Sequence, residues 1–212
     1  MIFIVLYLLA YLLGSIPTAV WIGKIFYKID IREHGSGNAG TTNTFRILGK
    51  TPGIFVFVID VLKGFAAVSL AFIPEICHCS EFFMILKITL GIISVIGHIF
   101  PVFAKFRGGK GVATMLGIVL GIYLPAALVG FGVFLIVLLI TKYVSVSSMT
   151  AGFFLPISVI VIFKETSSSL IIFSVITAIL LVITHKKNIR KLIAKTENKI
   201  SFNKKNNNIK IY

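Results

Sequence analysis

Charge is what this sequence most lacks. Only 13% of its 212 residues are Asp, Glu, Lys or Arg, and just seven are acidic. A soluble domain carries about 25% charged residues, so roughly half the usual complement is missing. Apolar residues make up 57%. They recur in runs of about 20, a length that a bilayer buries and a small soluble core does not. Cysteine is almost absent too: Cys77 and Cys79 flank His78 in a short loop. A disulfide across one residue is strained, and two thiols with one imidazole fall short of a four-ligand zinc set. Neither a disulfide framework nor a metal site is expected. Residues 2–22 lack the basic start and small-residue cleavage site of a secretory leader and stay apolar through Trp21. They are expected to be a retained first span.

The few charges are strongly ordered along the chain. Residues 24–52 hold Lys24, Lys28, Arg32, Arg46 and Lys50. Residues 105–111 hold Lys105, Arg107 and Lys110, Lys142 stands at a further break, and nine bases follow Thr184. Residues 74–81 hold Glu75 and Glu81 and no base. Lys and Arg accumulate on the cytoplasmic side of spans, which puts the basic breaks inside and the acidic one outside. The thirty apolar residues 112–141 then decide the count. As one tilted helix they strand Lys142 and the basic tail outside. As two helices meeting at residues 123–125 they return both to the inside. Two such helices of about 15 residues fall below the usual lower limit near 17 and need a thinned membrane. Pro125 with Gly117, Gly121, Gly130 and Gly132 supplies the break.

The sequence therefore predicts an all-α integral membrane protein of seven transmembrane helices, some of them short. Its N-terminus is outside and its C-terminus cytoplasmic. Residues 1–199 form a single transmembrane domain, and 200–212 are a basic Asn/Lys-rich tail whose composition favours disorder. Eighteen of the 21 basic residues fall on the inner side, where anionic lipid attracts them. The net charge of +14 is thus a membrane-surface signature, and no nucleic-acid partner is expected.

Three inner segments are more polar than topology requires. The first runs from His34 to Arg46. Gly35, Gly37 and Gly40 let backbone approach a ligand and adopt positive φ. Ser36, Asn38, Thr41, Thr42 and Asn43 offer neutral donors, and Arg46 a fork suited to phosphate. A helix starting near Thr41 would add its positive end. The second is Lys105 to Thr114, where Gly108-Gly109-Lys110-Gly111 has the composition of an anion nest ahead of a helix at Val112. It lacks the spacing and hydroxyl of a nucleotide-binding P-loop. The third starts at His185, with Asn188 three residues on and so on the same face of a helix leaving the membrane. Ser145, Ser147 and Ser148 add hydroxyls at the same depth. The opposite possibility for each is a loop, a basic anchor and an interfacial histidine. In the second span Asp60 and Lys63 can pair on one helix face, with Gly64 allowing close packing.

The chain resembles the bacterial acyl-phosphate:glycerol-3-phosphate acyltransferase family over residues 1 to about 199. The resemblance rests on Gly-Ser-Gly-Asn-x-Gly-x-Thr-Asn-x-x-Arg at 35–46, Lys-Phe-x-Gly-Gly-Lys-Gly-Val-Ala-Thr at 105–114 and His-x-x-Asn-Ile at 185–189. Leu-Leu-Gly-Ser-Ile-Pro at 12–17, Asp60-Val-Leu-Lys-Gly64, and His98 with Pro101 are similar to it as well. The third motif departs where Lys191 replaces the family's Arg and Lys195 its Gly, which puts the turn into Glu197 in question.

What the resemblance implies is transfer of a fatty acyl group from acyl phosphate to the 1-hydroxyl of glycerol 3-phosphate. The products are 1-acylglycerol 3-phosphate and inorganic phosphate, made at the inner face of a bacterial cytoplasmic membrane. Ser36, His185 and Asn188 are implied as catalytic, and Arg46, Lys110, Ser148, Gly108, Gly109 and Gly111 as phosphate-binding. Asn38, Thr42 and Asn43 are in support. No cofactor or metal is implied. The partners are the two substrates, membrane lipid and an enzyme that makes acyl phosphate. Both substrates carry phosphate, which suits two anion-binding loops. The donor is already activated, so positioning and charge neutralisation supply most of the acceleration. The proton of the acceptor hydroxyl goes to His185 or to a substrate phosphate. The His-x-x-x-x-Asp pair of other acyltransferases follows none of the histidines. The rival reading is a small transporter of a phosphorylated metabolite. That would predict inverted repeats and mid-membrane polar groups, and beyond Asp60 and Lys63 neither is evident.

Overall fold

The structure, a computed structural model, describes residues 1–78 and 80–200. The expectations for Cys79 and for the tail from residue 201 lie outside them. Long apolar runs have no water to satisfy their peptide groups in lipid, so they close their hydrogen bonds as helices. The described residues contain helices and turns and no strand. The α-helices are α1 (Ile2–Ser15), α2 (Thr18–Phe26), α3 (Thr41–Ile47), α4 (Lys50–Ser69), α5 (Glu81–Ile99), α6 (Val112–Ile122), α7 (Leu124–Thr141), α8 (Val144–Ile157), α9 (Ser168–Thr184) and α10 (Lys186–Ile193). Four helical segments are long and apolar enough to cross a membrane: Lys50–Phe72, Glu81–Ala104, Leu124–Thr141 and Val144–Ile162. The pairs α1–α2 and α9–α10 bend by 45° and 56°, and α6 is a shorter apolar helix.

Polar contacts sort the ends of these helices onto two faces. One face gathers the loop before α3, the loop before α6, the α7–α8 turn and the residues after α10. Arg32 there donates to the carbonyl of Ala104 at 2.7 Å, and the Ile200 N–H donates to the carbonyl of Lys142 at 2.8 Å. On the other face Glu81 accepts from the Ser169 N–H, and Tyr123 donates to Glu165. The run 112–141 thus leaves the first face, breaks at Tyr123 on the second, and comes back at Lys142. The two helices are unequal, 11 and 18 residues, and the break falls where Pro125 can occupy the first turn of α7.

Small residues set the packing. A Cβ on Gly64 would lie 2.1 Å from the carbonyl oxygen of Thr114, and one on Gly117 1.9 Å from that of Val61. The backbones of α4 and α6 therefore touch directly, as small residues allow between membrane helices. The contact also fixes depth: α6 begins level with the second half of α4, so the loop before it is recessed.

The break between α1 and α2 at Ile16 and Pro17 frees a carbonyl, and buried Lys63 donates to that Ile16 oxygen at 2.9 Å. Lys63 in turn pairs with Asp60 at 2.8 Å, which also accepts from Thr18 at 3.3 Å. The pair serves as a cap for a broken helix, which gives Asp60 and Lys63 a structural reason. Lys87, nearly two turns into α5, is buried, and its Nζ sits 5.4 Å from the ring centroids of both Phe72 and Phe83.

Candidate active site

The first loop is built around Asn43. Buried at 1% exposure, its amide nitrogen donates to the carbonyls of Ile31 and His34, and its oxygen accepts from the Ser36 N–H. Expected as a supporting ligand, Asn43 instead clamps the loop from inside. Gly35 and Gly37 take φ of +63° and +72° on either side of Ser36, a conformation that costs other residues, and Ser36 is left exposed. Asn38 and Thr42 are half-buried beside it. Helix α3 starts at Thr41 as expected and carries Arg46 exposed in its last turn. Arg46 makes no hydrogen bond or ion pair among the described residues.

The loop is tied to the second by a residue that the sequence did not single out. Arg32 holds Asp30 through two bonds, Nε to Oδ1 at 2.9 Å and Nη2 to Oδ2 at 2.7 Å, while its Nη1 reaches the Ala104 carbonyl. Arg32 and Lys24 hold the Asp30 carboxyl well below the usual carboxylate range. Asp30 and Arg32 thus form a charged strut between the two motifs.

The second loop corrects the nest expectation in part. The N–H groups of Gly108 and Gly109 donate inward, to the carbonyls of Ile99 at 3.1 Å and His98 at 3.2 Å. They are engaged in holding the loop to the end of α5 and do not face an anion. Their glycine requirement is steric: a Cβ on Gly108 would sit 2.0 Å from the His98 oxygen, and one on Gly109 2.3 Å from His98 Nε2. Buried His98 is itself fixed by Thr114 Oγ1 at 3.1 Å. Gly111, at φ +79°, opens α6. Lys110 is what this scaffold presents.

Lys110 Nζ donates to Asn188 Oδ1, and Asn188 Nδ2 donates to Glu197 Oε1 at 2.6 Å. Ser145 Oγ donates to the same carboxylate oxygen at 3.2 Å. The second and third motifs and the serine patch meet here. Glu197 returns despite the missing glycine because Lys195 itself adopts the left-handed conformation, φ +56°. Burial, with Lys191 and Arg46 nearby, brings the Lys110 ammonium down to about 8 against the opposing pull of Glu197. Two further cations and one carboxylate therefore act on Lys110, and an added anion would relieve the excess of positive charge.

His185 lies at the 56° bend between α9 and α10, just past the end of α9. It is buried, and its Nδ1 lies 2.7 Å from the Leu181 carbonyl. A carbonyl only accepts, so the proton is on Nδ1 and Nε2 carries a lone pair. Burial and Lys110 push its pKa down to about 4. The ring is neutral.

Ser148 Oγ donates to the Val144 carbonyl at 2.8 Å, and Ser148 borders an apolar cavity of about 100 Å³ between α6, α7, α8 and α9. The cavity runs from Ser148, Leu181 and Phe134 down to Leu155, Ala126 and Ala127. Nothing in the sequence signals it, because the apolar residues of a cavity and of a lipid face look alike. The site is thus amphiphilic, a cation-rich polar mouth over an apolar pocket.

The model of a family described as "Glycerol-3-phosphate acyltransferase" matches residues 4–195. A protein of that name from Fusobacterium nucleatum subsp. nucleatum is 41% identical over 196 residues, covering 92% of this chain and 96% of its own. One from Streptococcus pneumoniae (strain Hungary19A-6) is 45% identical over 208 residues, covering 93% of each. Two crystal structures of PlsY (YgiH), an integral membrane glycerol 3-phosphate acyltransferase, are similar as well. Its glycerol 3-phosphate form superposes with a TM-score of 0.82 at 36% identity, and its lysophosphatidic acid form with 0.79 at 35%. Each covers 95% of this chain and 96% of its own.

Proposed function

The chain belongs to the glycerol-3-phosphate acyltransferase family, and from that premise we propose how it works. It is an integral membrane enzyme that acylates glycerol 3-phosphate. We propose that the donor is an acyl phosphate, supplied by a separate acyl-phosphate-producing enzyme. The acyl group goes to the 1-hydroxyl, at the cytoplasmic face of a bacterial cytoplasmic membrane. The fold then makes seven crossings with the N-terminus outside, α6 and α7 being the fourth and fifth.

The carrying observation is Lys110, hydrogen-bonded to Asn188 and through it to Glu197, with the cations Lys191 and Arg46 nearby, next to an apolar cavity. A mixed anhydride of a fatty acid and phosphate needs both parts of that site. Its chain lies in the cavity, and its phosphate replaces Asn188 as the partner of Lys110. The second substrate's phosphate falls to Arg46 and the exposed Ser36 loop. The hydroxyl oxygen of glycerol 3-phosphate attacks the acyl carbonyl carbon, the bond from that carbon to the phosphate oxygen breaks, and the leaving phosphate departs against Lys110. The hydroxyl proton passes to a phosphate oxygen. His185, held neutral, is too weak a base to compete; its Nε2 lone pair accepts from the hydroxyl and orients it. Ser148 sits where chain and head group join.

Purified protein in detergent, given palmitoyl phosphate and glycerol 3-phosphate, should release inorganic phosphate only when both are present. Comparable turnover with an acyl thioester as sole donor would reject the acyl-phosphate reading.

A further inference from the structure

We propose that Gly130 sets how much acyl chain the cavity admits, an inference that rests on the acyl-phosphate reading above. Gly130 is on α7 and lines the cavity about one helical turn below Phe134, facing Ala151 of α8. An added Cβ at Gly130 would meet a single atom within 4 Å, the Ala151 carbonyl oxygen, at 3.9 Å. This contrasts with Gly152 across the cavity, whose Cβ would press on Leu181 at 2.4 Å. Gly152 is small so that helices can pack, whereas a Cβ on Gly130 would meet only the Ala151 carbonyl oxygen, at an ordinary contact distance. The space beside Gly130 is the cavity itself, and a side chain there grows into it.

Position along the helices shows what such a side chain would divide. The mouth side holds Phe134, Leu181 and Ser148, and the far side holds Ala126, Ala127 and Leu155. A chain entering past Ser148 must cross the level of Gly130 and Ala151 to reach the deeper half. Closing that level leaves room for the first carbons of a chain and none for the rest. Nothing about the polar mouth changes, because Gly130 touches none of Lys110, His185, Asn188 or Glu197. Leucine is also a better helix former than glycine, so the helix itself is not at risk.

Gly132, two residues on, provides a control. A Cβ at Gly132 would have no atom within 4 Å, and Gly132 does not line the cavity. The experiment compares wild type, Gly130→Ala, Gly130→Leu and Gly132→Leu with octanoyl, dodecanoyl and hexadecanoyl phosphates. For each, kcat/KM for the donor and KM for glycerol 3-phosphate are measured. Gly130→Leu should lower the hexadecanoyl-to-octanoyl ratio of kcat/KM by about tenfold or more, Gly130→Ala by less, and Gly132→Leu not at all. KM for glycerol 3-phosphate should stay constant. An unchanged ratio in Gly130→Leu, or an equal loss on all three donors, overturns the inference. Failure of the parent reading is separable: wild type would then ignore acyl phosphates and use thioesters, and the same chain-length ratio could be taken with those.

Discussion

If Lys110 binds a substrate phosphate, activity must fall as that lysine loses its proton, and the structure says where. In the free protein its pKa is brought down to about 8 by burial and by neighbouring Lys191 and Arg46. The fall should therefore be centred near pH 8, far below the range of an ordinary lysine. The protonated fraction drops from about nine-tenths at pH 7 to about one-tenth at pH 9, so kcat/KM, which reports the free enzyme, should drop about tenfold. Phosphate monoesters have their second pKa near 6, so the substrates' own charge is constant over this window. Removing the charge with Lys110→Gln should cost a charge-assisted contact of about 1.5–3 kcal/mol, or roughly 10- to 150-fold in kcat/KM at pH 7. Lys110→Arg keeps the charge to high pH but not the shape. Both variants should be slower at pH 7, and the residual activity of both should be flat between pH 7 and 9. Phosphate release with saturating co-substrate is the assay. A wild-type decline that persists with the same midpoint in both variants would assign the titration to another group and remove Lys110 from the phosphate site.

Gly109→Ala should lower kcat/KM strongly, because its methyl would lie 2.3 Å from His98 Nε2. Shortening His98 to Ala in the same chain should restore part of the loss, whereas Gly108→Ala, which meets backbone, should gain nothing from it. Additive losses in the Gly109–His98 double variant would show that the clash is not what glycine avoids. Lys195→Gly should leave phosphate release within about threefold of wild type and no less heat-stable. It relieves a left-handed residue, φ +56°, that costs about 1–2 kcal/mol outside glycine, an amount offset in part by the looser unfolded chain. A large drop in activity would mean that Lys195 acts through its charge. With Cys77 and Cys79 replaced, single cysteines at exposed Lys142 and Asn198 should be shielded from an impermeant thiol reagent applied to the outer face, and one at Ser168 should label. Labelling at Asn198 but not at Ser168 would rule out seven crossings.

The legible parts of this protein were those that chemistry makes rare in a membrane chain. Bases cluster at breaks, glycines crowd beside Arg46 and Lys110, and a proline marks the turn after Tyr123, so helices, faces and motifs could all be located. The sequence did not say which backbone groups face a ligand. Gly108 and Gly109 looked like an anion nest, and only geometry shows their N–H groups turned toward His98 and Ile99. Asn43 looked like a ligand and is a clamp, since an amide's partners are set by the fold and not by its spacing. The Asp30–Arg32 strut was invisible because one half of its purpose, the Ala104 carbonyl, lies 72 residues away. Glu197 was in doubt on the premise that a turn without glycine changes path. The chain makes its turn there with a lysine in the left-handed conformation.

The shortness of α6 connects these pieces. An eleven-residue helix rises only about 16 Å, roughly half the hydrocarbon thickness of a bilayer. Starting from Tyr123 on one face, α6 ends well before the other, and its contact with Gly64 places that end in the second half of α4. Lys110 therefore stands at the bottom of a recess and not on the surface. On the function proposed above, a fatty donor held by its chain in the cavity would carry its phosphate at that depth, while a water-soluble acceptor would come down from the same face past Arg46 and Ser36. Lengthening α6 to a normal span would raise Lys110 away from Ser148 and the cavity mouth. The unequal division of residues 112–141, unfavourable by length alone, brings a cation to the level where, on the proposed function, an acyl chain and a phosphate would join.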